Sequence, residues 1–375
     1  MSFRKIKREY ALYGAAFLLA LVIRLAGAAR FPLTDREAEL ALQALGLSQG
    51  QALLIGPHPA YLALTTVWMF IFHASNWVAR FWPALAGSLL VLLPLFFRGR
   101  LGKLPALLLT FFLAVDPGLL AISRQAGSLS LALFFTMLAL GLWLTERKEL
   151  AGIAFGMVLL SGPSIWPGMI SLGLALLIAR RWIFQGQGMP TVSSEPGVSP
   201  ALDEKGPSPK GDLRRGLVFA LVTVFLVGTL FFSIPNGLSA VGASIPTYLQ
   251  GWVPGSGNMG VSLPLVFGAL VVYEFLPLIF GLWGGIGSLL KKNKTEKDRL
   301  DQFLIAWWAI SLVLILAYPG RHVWDLAWSI LPLWALAARQ IARVFRIPAV
   351  DRLPVLGQMT LSAIIIAYIS MQLVT

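Results

Sequence analysis

The chain has no cysteine and only three histidines in 375 residues. Disulfides, thiolate nucleophiles and cysteine-ligated metals are therefore excluded, and the redox compartment is left open. Charge is scarce as well: Asp, Glu, Lys and Arg make up 13% of the chain, where a soluble domain carries about a quarter. Acids are the rarer sign, 17 against 30 basic residues. The sequence also contains no phosphate-binding glycine loop, no His-Glu-x-x-His zinc motif and no Gly-x-Ser-x-Gly elbow. Work driven by ATP is not expected of it.

What fills the chain instead is apolar: 57% of residues are hydrophobic, with a mean hydropathy of +0.76. Apolar stretches of roughly 20 residues, enough to cross about 30 Å of hydrocarbon, recur from end to end. The composition predicts an all-α, polytopic integral membrane protein. The net charge of +13 does not point to nucleic acid, because the basic residues fall in short clusters between apolar stretches. That is the pattern of topology signals and of contacts with anionic membrane lipids.

Eleven spans are expected, at 10–31, 81–98, 104–122, 128–145, 150–163, 167–182, 216–235, 263–290, 302–318, 325–341 and 354–373. The apolar run 59–73 is ambiguous, and charge decides it. If it stays out of the membrane, 24 of the 30 Lys and Arg gather on one side, which the positive-inside rule makes cytoplasmic. Arg30, Arg36, Arg80, Arg124 and Arg321 remain outside, and Arg24 lies within the first span. The run 59–73 is thus expected along the outer surface, its His58, Tyr61, Trp68, His73 and Trp77 suiting the headgroup layer.

The N-terminus would be cytoplasmic, in a plasma membrane of bacterial inner-membrane type. The first span is expected to stay uncleaved, since a secretory signal has a shorter apolar core. The short spans 150–163 and 167–182, broken by Pro163 and Pro167, read as tilted or half-inserted. Residues 184–214, rich in Pro, Gly, Ser and charge, read as a disordered cytoplasmic loop within one domain covering 1–375. The connection 236–262 reads as an ordered flap on the outer surface.

On that topology the titratable groups gather outside. Asp35, Glu37 and Glu39 open the first outer loop behind Thr34, a reasonable helix N-cap. These acids either simply start a surface helix, where the dipole favours them, or supply a general base or metal ligand facing a cavity. Arg124 and Arg321 with His322 sit in two short outer turns. They either hold an anionic group, phosphate above all, or anchor to headgroups, with an Arg321–Asp325 pair as the local alternative. Arg24 and Glu274 are ionisable groups inside spans. A mutual salt bridge is the expectation, with a polar cleft as the alternative. Arg80 reads as a snorkelling anchor.

Taken in order, several segments resemble the polytopic GT-C glycosyltransferases, especially the protein O-mannosyltransferase and lipid A aminoarabinose transferase branch. They are Arg24 in the first span, Asp35-Arg36-Glu37-Ala38, His58-Pro59-Ala60-Tyr61 and the Ala79-Arg80-Phe81 to Ala84-Leu85-Ala86-Gly87 stretch. Val115-Asp116-Pro117 with Ser123-Arg124, Tyr273-Glu274, and Arg321-His322 with Leu331-Pro332-Leu333 follow. The resemblance covers about residues 10–340 and rests on the order of short motifs. It implies transfer of a sugar from a polyprenyl-phosphate donor to a lipid, glycan or protein acceptor at the outer face, with inversion. Asp35 would be the base, Glu37 its substitute, and Arg124, Arg321 and His322 would hold the donor phosphate. Gly127 and Ser128 stand where relatives often carry a second acid, so no metal or other cofactor is assigned, although a divalent ion is compatible with the chemistry. A lipid-linked sugar transporter or an inactive relative of the same fold is the alternative reading.

Overall fold

The computed structural model describes residues 3–51, 56–183, 209–234, 237–253, 260–291 and 295–344. Among the described residues the chain is helical throughout, with sixteen α-helices, two 3-10 turns and no strand. Helix α1 (Phe3–Leu25) leads into a turn at Gly27, and α2 (Asp35–Ser48) and α3 (Pro59–Phe72) follow as the two helices of the first loop. Ser75 accepts a hydrogen bond from the Val78 N–H and so starts α4 (Asn76–Leu90) five residues before the expected span. With α5 (Pro94–Leu101) it forms one stretch of 26 residues, long and apolar enough to cross a membrane.

Proline and acid positions break the next elements. Helices α6 (Lys103–Val115) and α7 (Pro117–Ser123) bend by 56° at Asp116, because Pro117 offers no N–H and Asp116 caps α7. After α8 (Leu129–Leu144), helix α9 (Lys148–Leu159) turns through the 3-10 segment Pro163–Ile165 into α10 (Trp166–Ile183) at 116°. Helix α11 (Pro209–Gly228) begins inside the stretch expected to be disordered. Proline suits the first helical position and Asp212 the first turn, so 209–214 are helical. The rest of that stretch, 184–208, lies outside the described residues.

The connection 236–262 contains a helix, α12 (Gly237–Gln250), where a loop was expected. The span 263–290 is two helices, α13 (Leu263–Tyr273) and α14 (Phe275–Leu290), set at 86° with Glu274 at the break. Helix α15 (Glu296–Ala317) contains the second unbroken membrane-length stretch, and α16 (Ala327–Val344) follows the 3-10 turn Val323–Leu326. By length and hydropathy alone, the described residues thus supply two membrane-length helices, or five when each bent pair counts as one span. The last expected span, 354–373, lies outside the described residues.

The two ends of the helix assembly differ in chemistry. At one end Arg98 pairs with Glu9 at 3.2 Å, and the α16 residues Arg339 and Arg343 pair with Asp301 of α15. Arg339 also donates to the Leu101 carbonyl at 3.0 Å, so the starts of α1 and α15 and the ends of α5 and α16 lie together there. The other end carries α2, α3, the α7–α8 turn and the turn before α16. Between the ends lies a core of Leu, Ala, Phe and Trp whose largest fully buried side chain among the described residues is Trp328.

Candidate active site

The first loop is fastened by one acid. The Glu37 carboxylate accepts hydrogen bonds from Arg80 Nε and Nη2, both at 2.8 Å, and from the Ala126 N–H at 2.7 Å. The N–H and hydroxyl of Thr34 complete its shell at 3.0 and 3.1 Å. Burial alone would raise the Glu37 pKa, but the bonds from Arg80, Thr34 and Ala126 outweigh it and hold the carboxyl below its ordinary range. Arg80 is equally buried and also donates to the carbonyls of Ala28, Phe31 and Pro32. It is an internal clamp joining the end of the first span, α2, α4 and the α7–α8 turn, and not the snorkelling anchor expected from its position before an apolar run. Glu37 is correspondingly saturated, which leaves it no lone pair facing a substrate.

Asp35 is the opposite case. It occupies the first position of α2, its side chain is exposed, and no described residue gives it a hydrogen bond or ion pair. The two acids share one helical turn and do different work.

Next to Asp35, the Arg36 guanidinium lies over the Trp324 ring, 4.8 Å from its centroid, and His322 stacks with Trp324 at 4.3 Å between centroids. Burial and then the nearby Arg36 charge lower the His322 pKa to about 4, so this ring is neutral near pH 7. His58 is lowered to about 4 for the same two reasons and meets the Ser128 hydroxyl through Nδ1 at 2.7 Å. Asp325, just ahead of α16, accepts the His322 N–H at 2.8 Å, and burial pushes its pKa up to about 6 against the pull of that bond and of Arg36. Arg36, which the sequence did not single out, is therefore the cation among His58, His322 and Asp325. The signal was available: it is one of five basic residues left on the base-poor side.

The two expected phosphate ligands differ in freedom. Arg124 is half-buried and gives one bond, Nη2 to the Ala26 carbonyl at 3.0 Å. Arg321 directs Nε to the Val261 carbonyl at 3.1 Å and Nη1 to the carbonyls of Tyr318 and Leu316 at 3.0 and 3.2 Å. It clamps the 260–261 loop onto the 318–321 turn and does not pair with Asp325.

Arg24 and Glu274 do not meet as the expected pair. Arg24 is fully buried and donates to the Leu113 and Ala114 carbonyls at 3.0 and 2.9 Å, capping the C-terminal end of α6. Glu274, also buried, lies beside Asp116: a Cβ built on Gly118 would stand 3.0 Å from Glu274 Oε1 and 3.4 Å from Asp116 Oδ1. Asp116 in turn accepts the Leu119 N–H and the Trp334 indole N–H, each at 2.6 Å. For Arg24 the break at Asp116 accounts for this, since the carbonyls that end α6 are its acceptors; both carboxylate oxygens of Glu274 are buried without a hydrogen-bond partner among the described residues. Among the described residues no three His, Asp or Glu side chains converge as metal ligands.

Comparison with known proteins follows the same outline. Residues 33–194, less than half of the chain, match the family described as dolichyl-phosphate-mannose-protein mannosyltransferase. No curated protein matches the chain significantly in sequence. In structure it is similar to ArnT from Cupriavidus metallidurans bound to undecaprenyl phosphate, with a TM-score of 0.61 at 16% identity over 92% of this chain and 61% of that one. It is also similar to the Archaeoglobus fulgidus oligosaccharyltransferase in the apo form, with a TM-score of 0.60 at 16% identity over 99% of this chain and 56% of that one. The same archaeal enzyme tethered to an acceptor peptide containing the NVT sequon gives a TM-score of 0.57 at 15% identity, over 99% of this chain and 55% of that one. This chain thus spans little more than half the length of these structures, and likeness at such identities shows the fold.

Proposed function

We propose, on the premise that this chain has the GT-C fold that the sequence resemblance implied and the comparisons bear out, that it transfers sugar from a polyprenyl-phosphate-linked donor. The acceptor is a hydroxyl or amide group presented at the end of the assembly that carries α2. That end faces away from the cytoplasm, in a plasma membrane crossed about eleven times by a single domain. ArnT, crystallised with undecaprenyl phosphate, supports the donor class.

One observation carries the assignment of the base: of the two acids in the first turn of α2, Glu37 is saturated by Arg80, Thr34 and Ala126, and Asp35 is exposed and unpaired. Asp35 takes the acceptor's proton as the acceptor atom attacks the anomeric carbon. The bond from that carbon to the donor phosphate breaks, and polyprenyl phosphate leaves carrying the negative charge. A single displacement of this kind inverts the anomeric centre. Arg36 and Arg124 stabilise the charge that develops on the leaving group, and neutral His322 contributes a ring N–H. Arg321 acts one step back by holding the turn that presents His322. Residues that would hold a divalent ion do not converge among those described, so no step is routed through a metal.

The test is transfer from a labelled polyprenyl-phosphate sugar by purified protein. Asp35→Asn is expected to lower the rate by roughly 10²- to 10⁴-fold, the usual contribution of a general base. Its thermal stability should match wild type. Transfer at the wild-type rate would remove Asp35 from the mechanism, and flipping of the lipid without product would replace the enzyme reading with a transporter.

A further inference from the structure

Far from α2, toward the basic end, the helices enclose a cavity of about 730 Å³, within the range of built ligand pockets. It is walled by α5, α6, α8, α10, α15 and α16, and its only charged lining residue is Arg100. The lining residues Trp143, Leu144, Leu176 and Leu177 are exposed, which marks an open side toward surrounding lipid. Two polar features are out of place in an apolar cavity. The indole N–H of Trp307, in the wall, is buried and has no hydrogen-bond partner, a costly state where no water can serve it. Arg100 is exposed, and no described residue accepts a bond from its side chain. Beside it Arg339 and Arg343 pair with Asp301, and Arg339 donates to the Leu101 carbonyl, so the positive charge at the mouth is that of Arg100.

We infer that this cavity is a binding site for an anionic phospholipid of the leaflet at the basic end, with one acyl chain inside, an ester carbonyl on Trp307 N–H and the phosphate at Arg100. A polyprenyl tail satisfies neither polar feature: it has no carbonyl, and a donor whose phosphate lies at Arg36 and Arg124 has its charge at the opposite end of the assembly. Charge complementarity selects an anionic headgroup over a zwitterionic one. The inference rests on the fold and on the basic end, not on the transfer reaction.

Native mass spectrometry of the full chain, loaded with phosphatidylglycerol or with phosphatidylcholine, tests it. Wild type is expected to retain one phosphatidylglycerol and to release phosphatidylcholine. Arg100→Ala should weaken retention about fivefold, the effect of one basic residue at a lipid surface. A Cβ on Gly173 meets nothing within 4 Å, so Gly173→Phe has room in the cavity and should abolish retention. Trp307→Phe keeps the packing, removes the N–H and should weaken retention by itself, which keeps the test decisive if the bulkier variant fails to fold. Equal retention of both lipids, or retention unchanged in all three variants, overturns the site. Loss of undecaprenyl phosphate binding in Gly173→Phe overturns it too, by giving the cavity to the donor tail. A disulfide between Leu177→Cys and a cysteine placed in 354–373 would give it to the chain itself. Sugar transfer is assayed separately, so either reading can fail without the other.

Discussion

Two carboxylates two residues apart in one helical turn have opposite fates, and the difference is the partner each meets. Glu37 sits in a shell built by a residue 43 positions away, Arg80, and by the Ala126 N–H. Removing the charge from Glu37 leaves a buried guanidinium uncompensated, which costs roughly 3–5 kcal/mol. Glu37→Gln is therefore expected to lower the unfolding temperature and the yield of folded protein, whereas Asp35→Asn, at an exposed site, should stay within about 0.5 kcal/mol of wild type. Thermal unfolding of both variants in the same detergent checks the contrast. Because the folded pKa of Glu37 is depressed below 4.5, its contribution is present above that pH and is lost as pH falls further.

The histidines act in a higher window. The folded pKa values of His58 and His322, about 4, lie below the ordinary 6.5. The unfolded chain therefore takes up these protons first, and the stability they confer falls as pH drops from 6.5 to 4. Asp325 works in the other direction, since its pKa of about 6 lies above 3.8 and the folded state binds that proton more tightly. The net curve mixes the two signs. The difference between wild type and His58→Gln isolates one of them: stability should fall less steeply between pH 6.5 and 4 in the variant, measured by thermal unfolding across that range. Equal slopes would show that His58 is not buried in its neutral form.

At the scale of elements, close approach depends on small residues. A Cβ on Gly152 of α9 would stand 2.1 Å from the Gly216 carbonyl oxygen of α11. One turn on, a Cβ on Gly156 would meet Thr223 Cβ at 2.7 Å and the Ala220 carbonyl at 2.8 Å. Gly152 with Gly156 and Gly216 with Ala220 form the small-xxx-small pattern through which helices pack in lipid, where apolar side chains gain little by leaving it. Gly152→Leu is expected to push α9 off α11 and destabilise the protein by about 1–3 kcal/mol, seen as an earlier melting transition and a broader elution profile. Leu150→Ala, at an exposed position of the same helix, should change neither.

Which elements the sequence could disclose follows from how local their causes are. Helix α3, at 59–72 against an expected 59–73, was legible because its boundary is local: Pro59 starts it and His73, at φ 64°, ends it. The start of α2 was legible for the same reason, through Thr34 and the acids behind it. The break at Asp116 had the same kind of local signal, Pro117 behind a capping acid, whereas the break at Glu274 did not, since that residue could have continued a helix and only the packing shows that it does not. The Arg24–Glu274 pairing misled because a hydrocarbon setting suggests that opposite charges must meet. Helix ends supply carbonyl acceptors just as well, and Arg24 uses those of α6. Arg80 illustrates the remaining gap. Its retention on the base-poor side signalled a specific role, but spacing along the chain could not reveal that the partner was Glu37.

For the whole molecule, the proposed chemistry requires that the end carrying Asp35, His58, Arg124 and His322 face away from the cytoplasm and that the end carrying Arg98 and Arg100 face into it. The structure separates these two groups, and the distribution of the 30 basic residues is the ground for expecting that orientation. The absence of cysteine makes this directly measurable, because any introduced thiol is the only one. Gln125 is exposed in the α7–α8 turn, and Gly99 is exposed in α5 with open space around a built Cβ. In intact cells a membrane-impermeant maleimide is expected to label Gln125→Cys and to leave Gly99→Cys unlabelled until the membrane is permeabilised. The reverse pattern would put Asp35 on the cytoplasmic side, where the basic clusters would then oppose the charge rule at every loop. Labelling of both sites in intact cells would mean that 76–101 does not cross the membrane, although its 26 residues are long and apolar enough to do so. The reverse pattern would separate the unpaired carboxylate from an acceptor outside the cell and leave the basic-end cavity to be explained from the opposite leaflet.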